Sequence, residues 1–293
     1  INENMKTTGF ITAITLFFLV GLFSCDIINP AEDIPSYVRI DTFKVTVDDF
    51  DKGSTSHMIT DIWISVGGTN LGVFTMPFTV PSLSTGLQTL TIAPGIKLNG
   101  ISASRIRYPF YKPVTVDIEL IEGEIHLIEP ISEYKEECEF RFIEEFEDPG
   151  VSFIYGAYSD TSFIIQRDVV KEGRSSGAIF LTEENSSFEA YIDEDMELPE
   201  NATPVLLEFD YKSTNEFWVG MYLIEDGVIK WQPLVGIRPS DRWKRFYADL
   251  GGTTTEFNQT DLYRISIVAS HNQEDPSVMG EIYLDNIKLI HYK

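Results

Sequence analysis

From residue 36 onward, apolar and polar residues alternate with a period of two along nearly every segment, and no stretch of helical length carries a 3.6-residue apolar period. Successive side chains of a strand point to opposite faces, so such a chain is expected to build sheets, with few helices. In residues 37–47, Val38, Ile40, Thr42 and Lys44 alternate with Tyr37, Arg39, Asp41, Phe43, Val45 and Val47. Residues 58–66 and 71–80 flank Gly67-Gly68-Thr69-Asn70, which has the spacing and chemistry of a β-hairpin turn. Residues 88–92, 113–120 and 124–128 complete a first set of strands, which Pro130 closes. A second set begins near Cys138. There Val205, Leu207, Phe209 and Tyr211 share one face against Leu206, Glu208, Asp210 and Lys212. Phe217, Val219, Met221 and Leu223 likewise alternate with Trp218, Gly220, Tyr222 and Ile224. The pattern runs on through 242–250, 263–270 and 281–290. The expected fold is all-β, with two β-sandwich domains: a small one over 36–130 and a two-sheet jelly roll over 131–293.

Composition narrows the classes of function. The 293 residues carry 22 Lys and Arg against 46 Asp and Glu, a formal net charge of −24. That charge repels a phosphate backbone and no basic patch stands out in the sequence, so no nucleic-acid partner is expected. The same charge fits a solvated exterior and disfavours acidic polysaccharides as ligands unless a cation bridges them. Aromatics make up 13% of the residues, which argues against disorder. The two cysteines, Cys25 and Cys138, are too few for a disulfide scaffold.

Met5-Lys6 supplies a short basic start, and residues 10–23 are largely apolar. This run is too short to span a bilayer but suits the hydrophobic part of a secretory signal. It ends in Leu22-Phe23-Ser24-Cys25, which resembles the lipobox of bacterial lipoproteins. The resemblance implies that residues 1–25 are signal peptide and lipobox, and that Cys25 is lipidated after cleavage. Residues 26–35, with Pro30 and Pro35, then read as a tether. Several acyl chains make a stable membrane anchor where a single chain is marginal. The family's place is the outer membrane, on its periplasmic or surface-exposed side. Cys138 alternates in phase with Phe140 and Phe142, the setting of a small buried hydrophobe rather than a nucleophile.

The first half carries Asp61-Ile62-Trp63-Ile64-Ser65-Val66, Leu71-Gly72-Val73-Phe74 and Met76-Pro77. In these it resembles the Ig-like or PEGA-like modules of Bacteroidetes surface lipoproteins. Tyr108-Pro109-Phe110-Tyr111 in this half reads either as an exposed aromatic loop that docks a partner or as a buried crossover. The second half carries Phe146-Glu147-Asp148, Val170-Lys171-Glu172-Gly173-Arg174-Ser175-Ser176-Gly177, Leu207-Glu208-Phe209-Asp210-Tyr211-Lys212, Trp243-Lys244-Arg245-Phe246 and Ile282-Tyr283-Leu284-Asp285-Asn286-Ile287. These segments resemble the jelly-roll carbohydrate-binding modules. The resemblance implies glycan binding and one structural Ca²⁺ held in part by Glu147 and Asp285. Such an ion takes about 6–8 oxygen ligands, among which carboxylates are usual.

Sugar recognition needs flat aromatics with polar groups close by. If Phe217, Val219, Met221 and Leu223 fill the core, Trp218 and Tyr222 face the other way. Glu208, Asp210 and Lys212 join them if the two strands are neighbours, and Trp231, after the Asp226-Gly227 turn, borders the site. These six residues are the candidate glycan site, while Trp243 is assigned to the core. Open exposure of Trp218 and Tyr222 favours sugar, and burial under the first domain favours a scaffold.

No catalytic residues are assigned. Gly173-Arg174-Ser175-Ser176-Gly177 has the spacing of a nucleophile elbow, but that motif needs a following helix and the sequence here reads as strand. Glu208-Phe209-Asp210 is followed on its face by Lys212-Ser213, which leaves a two-carboxylate hydrolase without a local partner. His57, His126, His271 and His291 are scattered without metal-ligand spacing. The expectation is a non-catalytic, lipid-anchored cell-envelope protein whose jelly roll binds glycan. The alternatives are an assembly or adhesin lipoprotein that binds protein partners and, less favoured, a glycoside hydrolase.

Overall fold

A computed structural model describes residues 32–293 of the chain. The signal segment, Cys25 and most of the tether lie outside the described residues. In the first half the strands are β1 (Ser36–Ile40), β2 (Lys44–Val45), β3 (Asp61–Val66), β4 (Thr69–Thr75), β5 (Phe78–Ser82), β6 (Gly86–Lys97), β7 (Arg105–Arg107), β8 (Val114–Leu120), β9 (Ile125–Ile128) and β10 (Ile131–Ser132). One sheet runs β4-β3-β6-β7, with β8 pairing the earlier part of the long β6. β5-β1-β9 and the short β10-β2 pair make the remaining ladders. Val38 and Ile40 of β1 share a core with Ile62 and Ile64 of β3 and with Leu90 and Ile92 of β6.

The β3–β4 hairpin closes at Val66 opposite Thr69. Residues 71–80, read above as one strand, are two. Pro77 has no N–H to offer a ladder, and the chain beyond it leaves β3 to pair with β1 as β5. Nor does the first half end at Pro130. β10 pairs with β2, and Tyr134 and Cys138 still pack in the first core. Tyr108, Phe110 and Tyr111 are buried, which makes Tyr108-Pro109-Phe110-Tyr111 a crossover beneath the second half rather than an exposed loop. Cys138 is buried with its Sγ 3.6 Å from the Phe110 carbonyl, and burial pushes its thiol up to about 11.

The second half follows as β11 (Cys138–Glu144), β12 (Phe153–Tyr155), β13 (Ile164–Gln166), β14 (Ser176–Leu181), β15 (Ser187–Ile192), β16 (Val205–Ser213), β17 (Phe217–Glu225), β18 (Val228–Ile237), β19 (Ser240–Asp249), β20 (Leu262–Ser270) and β21 (Gly280–Tyr292). The inner sheet runs β13-β14-β21-β16-β19, with β11 on the later part of β21, and the outer sheet runs β12-β15-β20-β17-β18. Alternation works here as the sequence predicts. Phe209 and Leu207 from the inner sheet meet Phe217, Val219 and Ile267 from the outer one. Each such side chain contributes about 1.5–3 kcal/mol when fully buried. The short α1 (Gly251–Glu256) is the only α-helix among the described residues. No described helix is long and apolar enough to cross a membrane.

The two halves share a core. Leu206, Tyr247 and Ile290, on the far face of the inner sheet, pack with the first-half cluster. That face of the inner sheet is therefore covered, and of the two sheets of the second half it is the outer one that turns a free face to solvent.

Candidate functional site

The outer sheet places Trp218 and Tyr222 of β17 and Trp231 of β18 on its solvent side. Trp218 is 42% exposed and Trp231 37%, so of the two residues on which the sugar reading turned, Trp218 is open to solvent and Tyr222 is not fully so. Tyr222 is half-buried and directly opposite Trp231 in the β17–β18 register. Trp218 stands four residues from Tyr222, about 13 Å along the strand. Two glycines let the indoles lie down on the sheet. A Cβ on Gly236 would come 3.0 Å from the Trp218 ring, and one on Gly220 would come 2.5 Å from Trp231 Nε1. Trp231 Nε1 donates to Ser266 Oγ at 3.0 Å, which fixes the ring in place.

Polar groups surround these rings, but they are not the ones expected. Tyr191 meets Tyr222 edge-on at 5.8 Å between centroids, and Arg264 lies 5.4 Å over the Tyr191 ring. Arg264 also pairs with Asp195, which holds that carboxyl below the usual range. A shallow cleft of about 250 Å³ opens beside Trp231, lined by Tyr158, Ser187, Glu189, Tyr222 and Ser270. Glu189 and Tyr191 were missed in the sequence, although both alternate with buried Phe188, Ala190 and Ile192 on β15.

Glu208, Asp210 and Lys212 do not join Trp218 and Tyr222. β16 and β17 are consecutive in the chain yet belong to opposite sheets. The non-core face of β16 turns towards the first half, whereas that of β17 turns to solvent. Glu208 and Asp210 are each 1% exposed and both bind Arg245, with Nη2 and Nη1 at 3.0 Å from Glu208 Oε2 and Asp210 Oδ2. Tyr108 donates its hydroxyl to Glu208, Asn286 Nδ2 donates to Asp210 at 2.9 Å, and Lys288 Nζ donates to Tyr134 at 2.9 Å. Burial lowers Lys288 to about 8 and pushes the Tyr108, Tyr111 and Tyr247 hydroxyls well up. This network joins the two halves and is closed to a sugar. Lys212, at the end of β16, is half-buried on the same sheet. Trp243 corrects another expectation. It is half-buried and outside both core clusters, because the even positions of β19, Phe246 and Ala248, take the core side.

Glu147 and Asp285 do converge, on one loop. Glu147 Oε1 accepts the N–H groups of Arg174 and Ser175 at 2.6 and 3.0 Å, and its Oε2 accepts Arg174 Nε at 3.1 Å. Asp285 Oδ2 accepts the N–H groups of Lys171 and Glu172 at 3.0 and 3.2 Å, and Oδ1 that of Asn286 at 2.9 Å. Burial raises Asp285 to about 7 despite these donors. Oxygens facing this many N–H groups sit in a positive local field, and no group of three or more His, Cys, Asp or Glu able to hold a metal forms among the described residues. The pair does not fit a calcium ion that needs about 6–8 oxygens. It ties the 171–175 loop to the closing strand directly. That loop runs into β14 rather than into a helix, the element a nucleophile elbow needs.

No protein-family model and no curated protein matches the chain. Among solved structures, about half of the chain is similar to carbohydrate-binding module β-sandwiches. The C-terminal family 22 module of Clostridium thermocellum is 12% identical over 52% of this chain and 94% of its own, with a TM-score of 0.37. The family 11 module of that organism, solved with a β-1,3-1,4-mixed-linked tetrasaccharide, is 15% identical over 50% and 93%, with a TM-score of 0.34. A family 30 module, again from Clostridium thermocellum, covers 50% of this chain at 12% identity and a TM-score of 0.37. Likeness at this level concerns the sandwich alone, and the site rests on this chain's own residues.

Proposed function

We propose that the protein is a non-catalytic, lipid-anchored protein of the cell envelope that binds glycan on the free face of its outer sheet. The observation that carries the reading is the pair of indoles laid over Gly236 and Gly220, both open to solvent, with Tyr222 opposite Trp231. Flat rings of this kind stack on the apolar faces of pyranoses, and Glu189 and Ser270 line the adjoining cleft as partners for hydroxyl groups. Affinity gel electrophoresis of the full chain against neutral polysaccharides tests it. At least one should retard the protein, and Trp218→Ala with Trp231→Ala should weaken that binding about tenfold or more. No retardation by any of them, or equal retardation of the folded double variant, would sink the reading. The anchor rests on the Leu22-Phe23-Ser24-Cys25 segment. Cells given a labelled fatty acid should mark the native chain and leave Cys25→Ser unmarked.

A further inference from the structure

The chain's net charge conceals one strongly basic place. Between the two halves, beside the edges of β18 and β19, lies a cleft of about 780 Å³. Lys97 reaches it from the end of β6, Arg238 from the turn after β18, and Arg242 and Lys244 from β19. No Asp or Glu lines it. Arg245, at its base, is already held by Glu208 and Asp210. Among the described residues, Lys97, Arg238, Arg242 and Lys244 form no ion pair within 4.0 Å. In a chain with 46 acidic side chains, four cations lining one cleft with no carboxylate among its lining residues make a local positive field that favours an anionic ligand.

We propose that this cleft is a second binding site and that its ligand is an anionic oligosaccharide, bearing carboxylate or sulfate groups. The size falls within the usual range of ligand pockets, about 300–1,000 Å³. Arg238 and Arg242 offer planar forks that match a carboxylate or sulfate, and Lys97 from the first half and Lys244 from the second add point charges. Thr60, Asn99 and Ser102 line the first-half wall with hydroxyl and amide groups for sugar hydroxyls, over apolar contact from Met58 and Phe246. An acidic peptide is the competing ligand, and it would gain most by adding a strand to the edge of β19. That edge is obstructed. The Leu98–Gly100 turn packs on it, Asn99 Oδ1 takes the Asp249 N–H at 2.9 Å, and a Cβ on Gly100 would stand 3.0 Å from the Phe246 ring. On this proposal the cleft admits acidic sugars that the total charge disfavours elsewhere on the surface.

Calorimetric titration of the full chain tests the site, with a galacturonate pentamer, a sulfated chondroitin hexamer, a neutral galactose pentamer and hexaglutamate as probes. One or both anionic sugars should bind, more weakly as salt rises, and whichever binds identifies the anionic group. Arg242→Gln with Lys244→Gln should weaken that binding about tenfold or more, as loss of charge-assisted hydrogen bonds does. Arg238→Glu, at an exposed turn, should do the same and guards against a folding defect in the first variant. Trp218→Ala with Trp231→Ala should leave it intact. The inference is overturned if neither anionic sugar binds, if the cleft variants bind as the native chain does, or if hexaglutamate binds as tightly as the sugars. Binding lost only with the tryptophans would assign the ligand to the outer sheet and overturn the cleft. Neutral-glycan binding is read separately, so this site and the outer face fail independently.

Discussion

Asp285 and Arg245 show how single residues carry the junction between strands and halves. Asp285 is raised to about 7 by burial, only partly countered by the N–H groups of Glu172, Lys171 and Asn286. A folded-state value above the ordinary carboxylate one means that the folded chain keeps a proton that the unfolded chain has released. This contribution to stability is present at low pH and is lost as pH rises from about 4 to about 7. The difference in unfolding free energy between native and Asp285→Asn should therefore fall across that window, by up to about 1.4 kcal/mol per pH unit. Denaturant titrations at stepped pH read it, and a flat difference contradicts the assignment. Lys288, lowered to about 8 by burial, acts in the opposite sense and adds stability as pH rises above that value. Arg245 is a matter of pairing. Arg245→Met leaves Glu208 and Asp210 buried without their cation and should cost about 3–5 kcal/mol, whereas Arg245→Met with Glu208→Gln and Asp210→Asn should recover much of that loss. Equal loss in both variants would mean that packing, not charge, dominates there.

At the scale of elements, β17 and β18 form the surface that matters most. Their core positions, Phe217, Val219 and Met221, follow the alternation that the sequence displays. Their outer positions owe their shape to glycine. The register shifts between Val219 and Gly220, so that Gly220 faces Pro233 while Tyr222 still faces Trp231. Gly236→Ala places a Cβ in the space of the Trp218 ring and should tilt it off the sheet. The expected result is weaker glycan retardation, by several-fold, with thermal stability lowered by about 1 kcal/mol or less. Unchanged retardation would show that the flat setting of Trp218 is immaterial. The alternation of β16 was equally legible, but not what it faced. Glu208 and Asp210 read as a wet face and are instead the buried centre of the junction, because a covering domain leaves no mark in a strand's own period.

For the whole molecule, the shared core and the charged junction predict that the halves do not unfold separately. Leu206, Tyr247 and Ile290 belong to the first-half cluster although their strands belong to the second. The Met58 N–H donates to the Tyr247 hydroxyl at 2.8 Å across the junction. Scanning calorimetry should give one transition with equal calorimetric and van't Hoff enthalpies. Two resolved transitions would show that the junction is only a contact between independent domains.

The sequence by itself determined the all-β class, the phase of most strands and the outward turn of Trp218 and Tyr222. Those properties follow from a local rule: a side chain's face depends on its parity along the strand. Only the tertiary structure decided which strands share a sheet, and so which outward residues meet. It set β16 and β17 back to back, which separated Glu208 and Asp210 from the indoles and brought Glu189 and Tyr191 beside them from β15. It also gathered Lys97, Arg238, Arg242 and Lys244 into one cleft, although acids outnumber Lys and Arg about twofold over the chain. Composition sums charge over the chain, whereas an electric field is felt over a Debye length of about 8–10 Å, and only the packing of the two halves sets distances on that scale.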